Sequence, residues 1–430
     1  MNLTPLEPWI DHQIDQADLQ TYQLHRLNET LRLVKNNSRF YRHNPIDLSC
    51  DLGHLSELTH WPFTTAADLR ADPFAFVCVS QDEIQRVVTL DDANFPLTTL
   101  TTSGTTGQPK RLYFTRDDQA LTIDFFHIGM STFTAPGDRV LILLPGETPG
   151  SVGDLLASGL QRLGAVPIKH GPVREAAATL EVIRREKVDV LVGVPTHVLA
   201  LARSANTLKT RLKAVLLSTD HVSNAIKRAI ETAFNCEVYN HYGMTEMGLG
   251  GGVDCAARRG YHLREADLLF EIIDPVSGER LPDGEYGEVV FTTLTRRGMP
   301  LIRYRTGDVS RFLTEPCPCG TRLKTLERIT QRLAGRVRIG EQTLTMADLD
   351  EAVFALDGVL NFTATLTREN GHDGLHLEVK IADGHKVLSV VQAVSKAVAA
   401  LHDVDVRVSS VKDIPPSMAK RTILDRRFSA

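Results

Sequence analysis

No apolar run in this chain approaches the roughly 20 residues that a membrane-spanning helix needs; the longest, such as residues 140–144 (VLILL), stop far short. An excess of one charge is also missing. The 48 Lys and Arg against 53 Asp and Glu leave a net charge of −5, which argues against a nucleic-acid or anionic membrane surface. Cysteine is scarce, six residues in 430. That is too few for a disulfide framework and fits a reducing, cytoplasmic setting. Residues 1–13 are polar and acidic, without the apolar stretch of a secretory signal. There is no internal repeat and no low-complexity tract. What remains is an ordinary globular balance, 42% hydrophobic and 23% charged, long enough for two or three domains around a large core.

The apolar spacing gives an order of elements. Residues 19–42 have helical spacing, and PFTTAADLR (62–70) reads as a turn followed by a helix capped by Thr65, with Asp68 at the third helical position. From residue 140 short apolar runs (140–144, 166–168, 188–194, 214–217, 236–239) alternate with helical segments (152–163, 174–187, 197–204, 223–234). That rhythm implies right-handed βαβ units and a parallel sheet. Strands at 268–273 and 288–294 then flank a Pro282-Asp283-Gly284 turn. A smaller unit begins near Gly335, with helices at 347–356 and 386–401, a hairpin of 362–367 with 375–381, and a strand at 404–408.

The chemistry is concentrated in a few motifs. TTSGTTGQPK (101–110) sets two glycines among five hydroxyl residues and ends in Pro-Lys. Glycines let backbone N–H groups approach an anion, hydroxyls add donors, and a lysine adds charge. It is not the P-loop pattern, which needs four residues between glycines and then Lys-Ser/Thr. A flexible Ser/Thr/Gly surface loop is the plain alternative. YGMTE (242–246) and YRTGD (304–308) follow it in order.

Together these three segments resemble the signatures of the adenylate-forming superfamily of acyl- and aryl-CoA synthetases, luciferases and peptide-synthetase adenylation domains. Within it the likeness is to phenylacetate-CoA ligases. It is carried by the segment ending SRFYR (38–42), by PFTTAADLR, by FTTLTRRGMPLIRYRTGD (291–308) and by CPCG (317–320). The resemblance implies that Thr102, Ser103, Gly104, Thr105, Thr106 and Gly107 wrap the ATP phosphates, with help from Lys110, although in such loops this lysine is often exposed. It implies that Glu246 holds Mg²⁺, that Thr245 touches the α-phosphate and that Tyr242, followed by Gly243, stacks on adenine. Ser218, Thr219 and Asp220 match the adenine-pocket position without the family's Gly-x-Glu-Pro. Asp308 would accept both ribose hydroxyls, and Arg336 would reach the ribose. Lys420 matches the C-terminal lysine facing charge that develops in the transition state. Ala419 replaces the usual preceding glycine, and the neighbouring Arg421 competes for the same assignment.

The acid-binding segment should fall at residues 144–159, where Glu147 and Asp154 replace an aromatic, glycine-rich stretch. Residues 194–198 and 241–250 form the other wall, and His197 and His241 read equally as substrate contacts or as packed structural histidines. Cys255, His262, Cys317 and Cys319 resemble a Zn²⁺ set of some family members; three thiolates and an imidazole suit a tetrahedral structural ion. Buried free cysteines are the alternative.

The resemblance thus implies an α/β fold. A large N-terminal domain, residues 1–335, has parallel βαβ sheets plus a strand-rich subdomain and binds ATP and the acid. A small mobile α+β C-terminal domain, 336–430, carries Lys420. The reaction would be ATP- and Mg²⁺-dependent adenylation of an aryl or small organic acid, followed by transfer to CoA; a homodimer is one assembly this allows. The alternatives are transfer to a carrier protein or an amine, and a nucleotide-binding module without catalysis. Arg338 stands where the family has an acidic hinge, and the stretch from 336 to 348 looks short around Gly340-Glu341. The expectation is therefore an intact adenylation step, with CoA the part of the mechanism that the hinge puts in question.

Overall fold

The computed structural model describes residues 19–43, 51–90, 109–204, 211–369, 371–401, 404–415 and 420–427. Contacts divide the chain into two compact units that interleave along the sequence. The first gathers Met1–Pro136, Gly146–Ala165 and His241–Ile329; the second gathers Gly137–Pro145, Val166–Asn240 and Thr330–Ala430.

The alternating rhythm builds the second unit. Strands Val166–Lys169, Arg139–Ile142, Val190–Gly193, Ala214–Leu217 and the start of Glu237–Tyr242 lie side by side in that order, all parallel. Every residue of the Val190–Gly193 and Ala214–Leu217 strands is buried, which is why they read as unbroken apolar runs. Helices Ala176–Arg185, Pro195–Ser204 and Asn224–Phe234 make the crossovers. The C-terminal segment adds the expected hairpin, Val359–Glu369 with His372–Ile381. Two parallel strands flank it, Asp405–Val411 on one side and Ile423–Asp425 on the other. The last of these was not read from the sequence. A two-residue hairpin joins Val337–Ile339 to Gln342–Leu344 with Gly340 at φ +57°, so the stretch after Arg336 is as compact as its length suggests.

The C-terminal segment and the parallel sheet share one apolar core, in which Leu199, Ile226 and Phe234 join Val353, Phe354 and Phe362. Polar contacts reinforce it. The Glu351 carboxylate accepts the backbone N–H groups of Asn224 and Ala225, at the positive end of helix Asn224–Phe234. Arg203 donates to the Phe354 carbonyl at 2.6 Å.

The first unit opens with helix Leu19–Asn37 and a single turn, Arg39–Arg42, capped by Ser38. Thr65 and Asp68 form the expected capping box before Ala66–Ala71. An antiparallel sheet follows in the order Leu268–Ile273, Gly287–Thr293, Tyr304–Ser310. Its core includes Leu31, Trp61, Phe291 and Leu326. The apolar run at 236–239 extends as a strand to Tyr242, because His241 and Tyr242 gain antiparallel partners in Val253 and Gly252. Among the described residues no helix is long and apolar enough to cross a membrane.

Glu265 is a buried acid of the first unit, 7% exposed, whose carboxylate accepts the Lys324 backbone N–H at 2.5 Å. Burial pushes its carboxyl up to about 7, the Lys324 N–H only partly opposing it. A raised folded-state value means that its contribution to stability is full below the ordinary carboxyl range and is lost as pH rises through about 7. Glu265→Gln should therefore flatten the fall in stability between pH 5 and 8, by up to roughly 3 kcal/mol. Denaturant melts of both proteins across that range check it.

Candidate active site

Strand Glu237–Tyr242 ends in a tight turn that carries Gly243, Thr245 and Glu246. A Cβ on Gly243 would lie 2.3 Å from the Leu249 carbonyl oxygen, so only glycine permits the close approach that folds the turn back. The turn is pinned by Leu249 N–H to Met244 O and Gly251 N–H to Tyr242 O, both 2.9 Å. Gly248 closes it at φ +74°.

The turn drives Glu246 into the protein interior, where it is paired with Lys110. Their side chains are 1% and 2% exposed, and Nζ lies 2.5 Å from Oε1. Tyr304 also donates to that oxygen, at 3.2 Å. Burial alone would raise the Glu246 carboxyl, but the charge and hydrogen bond of Lys110 outweigh it and hold the group below the ordinary carboxylate range. Burial and the adjacent Glu246 charge push the Tyr304 phenol well above its usual value, so it stays protonated as a donor. The second carboxylate oxygen, Oε2, is buried without a hydrogen-bond partner among the described residues. A hard anionic oxygen left open in this way suits Mg²⁺, and the residues present fit that ion.

Tyr242 is buried, its ring stacked on Tyr261 at 5.5 Å, and its hydroxyl donates to Asp308 Oδ2 at 3.1 Å. Asp308 is 1% exposed, on strand Tyr304–Ser310. The middle and last of the three motifs are thus joined twice, Tyr242 to Asp308 and Glu246 to Tyr304.

Residues Thr102, Ser103, Gly104, Thr105, Thr106 and Gly107 lie outside the described residues, so of the glycine-rich segment only Pro109 and Lys110 are described. Lys110 is buried, whereas the lysine of such loops is often exposed. It opens strand Lys110–Thr115, in register opposite Leu90, and alternation puts it on the buried face with Leu112 and Phe114.

Ser218, Thr219, Asp220, Arg336 and Lys420 belong to the second unit. The first three follow strand Ala214–Leu217, and Thr219 sits at φ +79°. Arg336 is exposed and bonds Arg332 O at 3.0 Å and Gln331 Oε1 at 2.8 Å. Lys420 is half-buried. Arg421, its rival from the sequence, is engaged structurally: it pairs with Asp350 at 2.5 Å and lies over the rings of Phe354 and Phe362.

Of the two histidines, His241 is packed against the rings of Phe125 and Phe126, and burial pushes its imidazole down to about 4. His197 is buried on helix Pro195–Ser204. The Asp154 carboxylate accepts the Gly150 N–H at 2.9 Å, just before helix Val152–Leu163.

Cys255, His262, Cys317 and Cys319 converge so that their donor atoms all lie within 4.8 Å of one another. Cys255 and Cys317 sulfurs are 3.5 Å apart, and Cys319 Sγ is 3.3 Å from His262 Nε2. The other ring nitrogen of His262 bonds Thr325 Oγ1 at 3.1 Å, the outer contact that fixes a metal-binding imidazole. Around a tetrahedral zinc with Zn–S of about 2.3 Å, ligand sulfurs would be about 3.8 Å apart, and the four residues fit.

This chain's residues 43–294 match the sequence profile of AMP-binding enzymes, a span that contains the glycine-rich loop and the Glu246 turn. The chain belongs to the AMP-binding enzyme family. It is 28% identical to a phenylacetate-coenzyme A ligase of Thermus thermophilus over 95% of both chains. It is 31% identical to one of Aromatoleum evansii over 77% of this chain and 73% of the relative. Among solved structures, 2-hydroxyisobutyryl-CoA ligase in complex with 2-HIB-AMP has the same fold, with a TM-score of 0.79 at 23% identity over 95% of this chain and 90% of that one.

For an AMP-binding enzyme the unexpected residues are Tyr304 and Arg296. Tyr304 opens the last motif and bonds Glu246. Arg296 reaches the Glu246 carbonyl at 3.4 Å and lies over the Phe114 ring at 4.9 Å. Its neighbours Arg297 and Gly298 are held by Asp118, which also forms the cap of helix Arg116–Met130. The alternation of KRLYFT (110–115) was the available signal for Lys110; nothing local marked Tyr304.

Breaking one partner of a buried pair leaves an uncompensated charge, at a cost of about 3–5 kcal/mol. Lys110→Met should lose stability of that order, and Lys110→Met with Glu246→Gln should lose clearly less. Chemical denaturation of the single and double variants tests this. Equal losses would mean that the pair is not held in the interior.

Proposed function

We propose that this chain joins a carboxylic acid, an aryl or small organic one, to ATP as an acyl-adenylate and then transfers the acyl group to CoA. The observation that carries the reading is the buried convergence of Glu246, Lys110, Tyr304, Tyr242 and Asp308 within an AMP-binding enzyme. Relatives named phenylacetate-coenzyme A ligase support the acid–CoA outcome.

In the first half-reaction a carboxylate oxygen bonds to the α-phosphorus and pyrophosphate leaves. Two anions must meet, so the site must hold them in line and offset their charge. Residues 102–107 wrap the β- and γ-phosphates. Mg²⁺, when bound at Glu246, neutralises phosphate charge. Lys110 and Tyr304 hold Glu246 from the side of Oε1. Thr245 meets the α-phosphate, and Ser218, Thr219 and Asp220 border the adenine. Asp308 accepts the ribose hydroxyls, oriented by the Tyr242 hydroxyl, and Arg336 adds a ribose contact. Lys420, on a C-terminal domain that begins near residue 336, faces the charge that grows as the α-phosphate is attacked. In the second half-reaction the CoA sulfur attacks the acyl carbon, AMP leaves and the thiol proton is lost. The compact hairpin after Arg336 bears on this second step alone.

Glu246→Gln should weaken metal and nucleotide binding together. Lys420→Ala should spare ATP binding and lower the adenylation rate constant by about 100-fold or more, as expected for a contact made mainly in the transition state. Single-turnover pyrophosphate release with a turned-over acid tests both. Wild-type adenylation by Lys420→Ala would remove that lysine from the mechanism. Rapid-quench AMP release with and without CoA tests the acceptor: acceleration supports CoA, and none favours a carrier thiol or an amine.

Cys255, His262, Cys317 and Cys319 are proposed to bind one structural Zn²⁺ that pins the CPCG loop to strand Tyr261–Leu263. Elemental analysis of protein purified without chelator should give about one zinc per chain. Cys317→Ser should lose the metal and lower the melting temperature. Zinc-free protein of unchanged stability would contradict the assignment.

A further inference from the structure

Arg421 stands next to Lys420 but does something different from it. Its guanidinium donates to Asp350 Oδ1 at 2.5 Å and to the Phe362 carbonyl at 3.1 Å. The same group lies 4.9 Å from the Phe354 ring centre and 4.3 Å from that of Phe362. Asp350 is 2% exposed, so this is an interior anchor with geometry fixed on three sides. Arginine's planar fork suits such a site, where a lysine would keep the charge and lose the paired bonds.

The backbone of Arg421 faces another element. Its N–H donates to Asp220 Oδ2 at 3.3 Å, and the other Asp220 oxygen accepts the His221 N–H at 2.9 Å. Asp220 belongs to the turn after strand Ala214–Leu217, and the same turn holds Thr219 at φ +79°. A β-branched residue there is strained and persists only where its surroundings over-determine it. Thr219 Oγ1 is also buried without a partner among the described residues. The turn runs directly into helix Asn224–Phe234, whose first N–H groups are held by Glu351, next to Asp350 on helix Met346–Phe354.

We infer that Arg421 is a positioning residue for Lys420, and that Asp220 is the acceptor on which it docks. Through Asp350, Arg421 and Asp220, the chain entering strand Ile423–Asp425 is fixed to the turn at 218–220. Lys420 is one residue away, with its α-carbon about 3.8 Å from that of Arg421. It is therefore placed beside the turn that borders the nucleotide, by contacts that Arg421 makes. The inference rests on the proposed roles of Lys420 and of residues 218–220.

Because Arg421 would act through Lys420, the two should not add. Arg421→Gln should slow single-turnover adenylation by about 10- to 100-fold, the scale of an ångström-level misplacement, with a much smaller change in the KM for ATP. In the Lys420→Ala background the same substitution should change the rate less than about twofold, far from the product of the two separate effects. Arg421→Lys should recover only part of the rate. Asp220→Ala, which leaves the interior anchor intact, should show the same non-additivity with Lys420→Ala and covers the case in which Arg421→Gln does not fold. Full multiplication of the effects in both cycles would overturn the inference, as would wild-type rates in Arg421→Gln and Asp220→Ala. Wild-type adenylation by Lys420→Ala would instead defeat the underlying reading of that lysine.

Discussion

A carboxylate in the interior must be answered by a cation. Glu246 is driven inward by a turn that only glycine at 243 allows, and Lys110 meets it from a strand whose alternation turns that side chain inward. The pair is close because the charge would otherwise be intolerable. It also ties the residue that ends the glycine-rich segment to the residue that ends the middle motif. Tyr304 brings in the last motif on the same carboxylate oxygen, and Asp308 follows four residues later on the same strand. Three segments that lie 132 and 58 residues apart in sequence thus become one site around one buried charge.

Much of the fold was legible in the sequence because its signals are local. The apolar runs at 190–193 and 214–217 have little choice but a buried parallel sheet, and the Thr65–Asp68 box and the hairpin of the C-terminal segment carry their own turn and pairing chemistry. The misses were non-local. Strand Glu237–Tyr242 runs past its apolar stretch because a partner strand lies beside it. Strand Ile423–Asp425 is three residues long and exists only because the edge of Val359–Glu369 is available. Interleaving of the two units is likewise a property of contacts that no window of sequence contains.

The site divides in the same way. Glu246, Asp308 and the four Cys and His residues were named from motifs; the structure buries the two carboxylates and brings the donor atoms of the four Cys and His residues within 4.8 Å of one another. Lys110 was named as a helper at the phosphates, and its pairing with Glu246 depends on a strand register that the motif does not contain. The partnership of Tyr304 with Glu246 depends on two strands meeting, and Arg421 could be told from Lys420 only by the Asp350 carboxylate and the two phenylalanine rings that hold it.

The central claim is that the acid's own oxygen attacks the α-phosphorus of ATP. A carboxylic acid labelled with ¹⁸O in both carboxyl positions tests this directly, with mass analysis of the nucleotide and phosphate products after turnover. One labelled oxygen in AMP, with unlabelled pyrophosphate, is the predicted result. Label in inorganic phosphate, with ADP as the nucleotide product, would mean activation through an acyl phosphate and would contradict the account.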